Sequence, residues 1–427
     1  MLGACDGSSE QDPTGSAGSG ANAGNAGGGQ SNAALGGRAG APTGGNQARG
    51  GGTSGGGTSG PITQPTDPCA PRAGYRNLFA EVLKKTDAEV IEKLDHAFQS
   101  LFHGGDNAKI YYEVGTDEAY ILDVNNNDVR SEGMSYGMTI AVQLDKKTEF
   151  DRLWKWARNR TRQQSGYFAW QASPSGQILS TGVAPDGDEY FATALILASK
   201  RWGDGTGIFA YSTEARSVLD ALANRGAFNR DSHIVAFGPN LNYGDPSYVL
   251  PAFYEYWACF DDKTRDFWKA SVTAGRQYFH RATHDKTGLA PYLSNFDGSP
   301  YSGGPDFNSD SWRVVGNIMM DYHLFGADSW QATFAQKYAA FFAVEQAKRP
   351  AGAEFKLDGT VTVSHDSPAK GLVAQNAMVG FAVPPADSQQ FLQDMWNLSP
   401  PTGQYRYYDG VLYLLAYLHL SGQFRLY

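Results

Sequence analysis

Ser131-Glu132-Gly133-Met134-Ser135-Tyr136-Gly137-Met138 is the stretch around which the rest of this chain organises. Here a carboxylate stands beside glycine, just ahead of an apolar segment that predicts a helix from Met134 to Leu144. Glycine lets the backbone pass close to a ligand. A carboxyl group at a helix start, in a partly apolar pocket, can keep its proton to near neutral pH and then donate it. Two more acidic runs have similar settings: Ala184-Pro185-Asp186-Gly187-Asp188-Glu189-Tyr190-Phe191 and Asp306-Phe307-Asn308-Ser309-Asp310-Ser311-Trp312-Arg313. Acids among aromatics suit an enzyme that breaks glycosidic bonds, because aromatic faces receive sugar rings and paired carboxyls carry the proton transfers.

Outward from these motifs the pattern is helical. Thr86-Asp87-Ala88-Glu89 has the form of a capping box, followed by Val90, Ile91, Leu94, Phe98 and Leu101 on one helical face. Phe150, Leu153, Trp154 and Ala157 mark another helix. Further helices are expected over Tyr190–Trp202, Pro251–Phe260, Thr264–Ala282, Trp312–Phe325, Trp330–Ala347, Leu372–Phe381, Ser388–Trp396 and Val411–Leu420. About a dozen helices with few strand signals suit helical hairpins arranged around a ring; an ordinary bundle is too small. Trp154, Trp156, Trp202 and Trp257 are read as core.

The N-terminal segment has a different texture. From Gly7 to Gly60 it is Gly, Ser, Ala, Asn and Thr with almost no large apolar side chain. Such a segment buries too little surface to offset its ordering entropy. Residues 1–66 are therefore expected to be a flexible tether, with one catalytic domain over 67–427. Leu2-Gly3-Ala4-Cys5 resembles a bacterial lipobox, without the charged and apolar parts of such a signal before it. It suggests a lipid anchor at Cys5 on an exported protein, in the cell envelope or secreted.

A net charge of −9 disfavours nucleic acid as a partner. No stretch reaches the roughly 18 apolar residues of a membrane-spanning helix. Cys69 and Cys259 could pair in an oxidising compartment, but two separate thiols, with Cys259 in an aromatic helix, is the preferred reading. No Cys/His cluster has metal-ligand spacing, and neither metal nor cofactor is expected.

Ser131–Met138, Pro185-Asp186-Gly187-Asp188-Glu189, Asp245-Pro246-Ser247-Tyr248 and Asp310-Ser311-Trp312-Arg313, in that order, resemble glycoside hydrolase family 8 over roughly residues 70 to 427. The resemblance implies an all-α (α/α)6 barrel and an inverting hydrolase of β-1,4-linked glycans. Separately, a monomer is expected. Ala184–Phe191, Pro251-Ala252-Phe253-Tyr254-Glu255 and Tyr405-Arg406-Tyr407-Tyr408-Asp409 look most like its xylan branch, which includes enzymes that release xylose from reducing ends.

By the same resemblance Glu132 corresponds to the general acid and Asp310 to the general base. Asp306 is the competitor for the base; Asp310 is chosen because Arg313, Asp321 and Tyr322 follow it at the family's spacing. Asp186 corresponds to a carboxylate that bonds the distorted sugar, and Tyr248 to a tyrosine near the cleavage point. Arg313 is expected to pair with a carboxylate, Trp170 to stack on sugar, and Tyr407 and Tyr408 to contact it. Asp188 is close enough to be confused with Asp186, its other reading being an N-terminal helix charge, and Glu189 is read as such a charge.

The leading expectation is an inverting hydrolase of xylan or xylo-oligosaccharides. A β-1,4-glucanase keeps the chemistry with another sugar. A non-catalytic sugar-binding lipoprotein would not need Glu132, Asp186 and Asp310 together, and a polysaccharide lyase would want a basic cluster beside its acids. Endo and reducing-end exo action both stay open; the loop Ser364–Lys370 is of suitable character to close one end of a cleft.

Overall fold

The computed structural model describes residues 74–347, 352–364 and 369–427. The tether, the lipobox, Cys69 and residues 365–368 of the cleft-closing loop lie outside the described residues.

Two short opening helices, α1 (Leu78–Leu83) and α2 (Asp87–His103), lead into a hairpin of β1 (Tyr111–Val114) and β2 (Glu118–Ile121). Next come β3 (Val129–Arg130), α3 (Ser131–Gln143), α4 (Lys147–Arg160), β4 (Gln171–Ala172), β5 (Ile178–Ser180), α5 (Pro185–Trp202) and α6 (Tyr211–Asn224). The chain continues through α7 (Pro251–Phe260), α8 (Arg265–Ala282), α9 (Trp312–Leu324) and α10 (Trp330–Ala347). A hairpin of β6 (Gly352–Phe355) and β7 (Val361–Ser364) precedes α11 (Lys370–Asn376), α12 (Pro385–Asn397) and α13 (Arg406–Leu420).

Six helices close a ring: α3 packs on α5, α5 on α7, α7 on α9, α9 on α11, α11 on α13, and α13 back on α3. Six more clothe it, with α4 on α3, α6 on α5, α8 on α7, α10 on α9, α12 on α11 and α2 on α13. This is the expected (α/α)6 barrel. Helices alternate between layers along the chain, so the inner ones run parallel and their N-termini share one rim.

Composition decides the layer. Every residue of α3 is buried, as is every residue of α9 except Tyr322. A helix enclosed on all sides carries no polar stripe. The outer α2 buries only Val90, Leu94, Ala97, Phe98, Leu101 and Phe102, the one-sided spacing of a surface helix. Its start is the capping box: the Glu89 N–H donates to Thr86 Oγ1 (3.2 Å), and the Thr86 N–H donates to Glu89 Oε2 (2.8 Å).

Several boundaries and one pairing differ from expectation. The helix begins at Pro185, not Tyr190, so the acidic run is itself helical, with proline in the first turn where its missing N–H costs nothing. Likewise α13 starts at Arg406, which puts Tyr407 and Tyr408 on a helix rather than in a loop. The helix α6 was not foreseen. Trp154, Trp156 and Trp257 are core, whereas Trp202 is half-buried, its indole N–H donating to Asp145 (2.6 Å). Cys259 is disulfide-bonded, which overturns the reading of separate thiols; Cys5 and Cys69, the other cysteines, lie outside the described residues.

Candidate active site

The acidic motifs converge on the N-terminal rim of the inner ring. Glu132 lies in the first turn of α3, Asp186 in the first turn of α5, Asp310 just before α9 and Arg313 in its first turn. Tyr248 ends a 3-10 turn, Pro246–Tyr248, that leads into α7. Side chains distant in sequence meet there because parallel inner helices start at the same level.

Glycines permit the close approach. A Cβ on Gly187 would come within 2.6 Å of Ser131 Oγ, and one on Gly133 within 2.6 Å of the Tyr407 ring. The starts of α3, α5 and α13 are thus packed to contact around Glu132, whose Oε2 accepts from Ser131 Oγ at 3.1 Å. Glu132 is 8% exposed. Trp170 sits on the same side: its carbonyl accepts the Ser131 N–H (2.9 Å), and the Arg130 guanidinium lies 5.5 Å from its ring. Arg130 in turn pairs with Asp123 and Asp128, both at 3.2 Å. Only 5% of Trp170 is exposed.

Arg313 organises the other side. Nη1 donates to Asp186 Oδ2 (2.5 Å) and to the Tyr136 hydroxyl (2.8 Å); Nη2 donates to Asp310 Oδ1 (2.6 Å). The Tyr136 hydroxyl donates to Asp186 (3.2 Å), linking α3 to this cluster one turn beyond Glu132. A third carboxyl, Asp245, places Oδ2 at 3.9 Å from Arg313 Nη2, and the guanidinium lies 5.5 Å from the Tyr248 ring. Arg313 is itself buried, and among the described residues these three carboxyls are its ion-pair partners. Burial pushes the Asp186 and Asp310 carboxyls above the usual range, while the Arg313 charge holds the rise in check.

The placements separate the candidates. Asp310, and not Asp306, belongs to the cluster; Asp306 is half-buried in the preceding loop, its carbonyl accepting the Tyr292 N–H (2.8 Å). Tyr248 is fully buried, with its ring stacked on Phe237 (5.7 Å, 11°). Tyr407 adjoins Gly133, and Tyr408 donates to the Ser309 carbonyl (2.8 Å) with its ring 6.1 Å from Trp312. Asp188 and Glu189 are not solvated helix charges. Both are wholly buried, Asp188 accepting the Phe168 N–H (3.2 Å) and Glu189 the Tyr254 hydroxyl (2.8 Å). Desolvation raises both well above the ordinary carboxylate range, against the hydrogen bonds from the Phe168 N–H and the Tyr254 hydroxyl.

Asp245 and Tyr136 were missed as site residues. Each stood inside a quoted motif, and an acid directly before Pro-Ser-Tyr is the signal that could have singled out Asp245. The pairing of Arg313 with carboxylates was foreseen. Chemically, the arrangement offers a proton donor on one side of the rim and, on the other, carboxylates poised by one guanidinium. Among the described residues no cluster of metal-ligating side chains is present.

Residues 116–422 match the family model described as Glycosyl hydrolases family 8. The reducing-end xylose-releasing exo-oligoxylanase Rex8A of Paenibacillus barcinonensis is 39% identical over 373 residues, 83% of this chain and 97% of the relative. The reducing end xylose-releasing exo-oligoxylanase of Halalkalibacterium halodurans is 42% identical over 368 residues, 82% of this chain and 94% of the relative. A solved family 8 xylobiose complex from Teredinibacter turnerae superposes with a TM-score of 0.79 at 42% identity, covering 82% of this chain and 97% of that one.

Proposed function

The chain belongs to glycosyl hydrolases family 8 and is a glycoside hydrolase, and on that premise we propose that it releases xylose from the reducing end of β-1,4-linked xylo-oligosaccharides with inversion. The observation that carries this reading is the rim itself, where Glu132 stands apart from an Arg313-centred pair of carboxyls, Asp186 and Asp310, on a frame 39–42% identical to xylose-releasing enzymes.

Glu132 is the general acid. It gives its proton to the glycosidic oxygen as the C1–O bond breaks. Asp310 is the general base, taking a proton from the water whose oxygen bonds to C1 on the opposite face. Asp310 must be ionised to do so, and the Arg313 contact at 2.6 Å favours that form against burial. Asp186, with Arg313 and Tyr136 fixing its orientation, bonds a hydroxyl of the distorted sugar, an interaction that strengthens as positive charge grows on the ring. Tyr248, Tyr407, Tyr408 and Trp170 shape the walls. The disulfide at Cys259 favours an oxidising compartment and so supports export, and the lipobox-like Leu2-Gly3-Ala4-Cys5 supports a lipid anchor at Cys5. Palmitate incorporation that disappears in Cys5→Ser tests the anchor.

Product analysis tests the activity. Xylotriose should yield xylose and xylobiose, whereas xylotriose reduced at its end should resist cleavage and polymeric xylan should release little. Rapid random shortening of xylan would make the enzyme an endo-xylanase, and faster cleavage of cello-oligosaccharides would make it a glucanase. Proton NMR of the first product, before mutarotation, should show the α-anomer; an initial β-anomer would exclude inversion and the role of Asp310.

A further inference from the structure

The Arg313 cluster holds one carboxyl more than the mechanism uses. Asp245 is 1% exposed and caps the 3-10 turn, its Oδ1 accepting the Ser247 N–H at 2.7 Å. Its Oδ2 is buried with no hydrogen-bond partner among the described residues, and it faces the same Arg313 nitrogen that serves Asp310. The two distances differ sharply, 2.6 Å to Asp310 Oδ1 and 3.9 Å to Asp245 Oδ2. Arg313 contributes one positive charge toward three buried carboxyls, so full ionisation of all of them would leave uncompensated charge in a dry site.

We propose that Asp245 is a positioning residue that, while it keeps its proton, leaves Arg313 Nη2 to Asp310, and that on losing the proton it competes for that nitrogen and takes Asp310 out of its working geometry. The inference rests on Asp310 being the general base. The unequal distances are those of a neutral carboxyl beside an ionised one, because an ionised Asp245 would be drawn into hydrogen-bond range. Desolvation also raises the Asp245 carboxyl well above its ordinary range, with Arg313 opposing and Asp310 adding to the rise. The groups facing it from the surrounding elements are Arg313 on α9, Asp310 before it, Tyr278 on α8 and Tyr408 on α13, with Asp186 reached through Arg313. The cluster titrates as a unit, and its most tightly held proton, the last to leave, sits on Asp245, the carboxyl farthest from Arg313.

The consequence is a second origin for the alkaline limb of the pH–rate profile, beside loss of the Glu132 proton. β-Xylobiosyl fluoride separates the two, since fluoride leaves without protonation. In a Glu132→Gln background, hydrolysis of this substrate should still fall at alkaline pH. Adding Asp245→Asn should move that limb upward by about one pH unit or more, because the amide cannot ionise. The acid limb, set by Asp310, should stay in place. Asp245→Ala, which also removes the hold on Ser247, should lower kcat at every pH, and Asp245→Asn should restore part of it. An alkaline limb that does not move would overturn the proposal. So would an acid limb falling by about a unit, since that would mean an ionised Asp245 in the native enzyme. Asp310→Asn serves as the control: if it leaves hydrolysis of the fluoride intact, the base assignment fails, whereas its loss combined with an unmoved limb in Asp245→Asn refutes this inference alone.

Discussion

The two sides of the rim solve opposite electrostatic problems. Around Glu132 the neighbours are a serine hydroxyl, a glycine-permitted tyrosine ring and a tryptophan whose carbonyl holds the adjacent residue. Arg130, which pairs with Asp123 and Asp128, also exerts its charge on Glu132. Around Asp310 the neighbour is a buried guanidinium bonded at 2.6 Å. A proton donor must hold its proton until the leaving oxygen pulls it away, and the cation near Glu132, Arg130, is shared with Asp123 and Asp128 rather than given to it alone. A base must arrive ionised, and in a buried place that takes a contacting cation. On the proposed roles, the same side-chain chemistry is set to two tasks by its surroundings.

The sharpest way to break this contrast is to vary the leaving group. Glu132→Gln and Asp310→Asn should each slow xylotriose hydrolysis by about 10²–10⁴-fold, the usual worth of acid or base catalysis. On β-xylobiosyl fluoride Glu132→Gln should recover most of its rate and Asp310→Asn should not. If both variants recover, or neither does, the two sides are not acid and base. Asp306→Asn should cost far less than Asp310→Asn on either substrate.

A smaller effect probes the packing that sets the acid. In Gly133→Ala the new methyl meets the Tyr407 ring at 2.6 Å, so the start of α3 or of α13 must move. A shift of this kind should cost about 10²-fold in kcat/KM, in line with misplacement by an ångström. A thermal midpoint within a few degrees of wild type would locate the loss in geometry rather than in folding. Full activity would show that Glu132 does not depend on this contact.

The buried acids of the wall provide a gentler test. Asp188 has its folded-state pKa raised by burial, so the folded protein binds its proton more tightly than the unfolded chain. That stabilisation is fully present below the unfolded pKa and is lost as pH rises through the folded one. The thermal midpoint of Asp188→Asn should therefore gain on wild type as pH rises above the ordinary carboxylate range, because the amide has no proton to lose. A difference independent of pH would mean that Asp188 is ionised in the wall. The smallest effect belongs to the tether: a chain starting near Asp67 should retain its specific activity on xylo-oligosaccharides, and a large loss would give the N-terminal segment a catalytic part.

Much of the frame was legible because its signals are local. The capping box at Thr86, the helices Pro251–Phe260 and Trp330–Ala347, and the glycine-flanked acid at Glu132 each depend on residues within a few turns of one another. Misread boundaries fell where a polar run opens a helix, as at Pro185 and Arg406. Isolated acids and tyrosines there resemble a loop until the neighbouring inner helices enclose them.

By itself, then, the sequence determined the kind of molecule: a helical ring, an acid at the head of one helix, and a choice between Asp306 and Asp310 at the head of another. Tertiary structure alone decided which charges meet. Arg313 reaches Asp186 across 127 positions and Tyr136 across 177, distances in sequence over which no periodicity carries information. Closure of the ring brought Asp245 into the same cluster, buried Asp188 and Glu189 in the wall, and set Tyr407 against Gly133. The physical reason is that a carboxyl group's ionisation depends on its desolvation and on the charge in contact with it, and both are properties of the assembled barrel rather than of any segment.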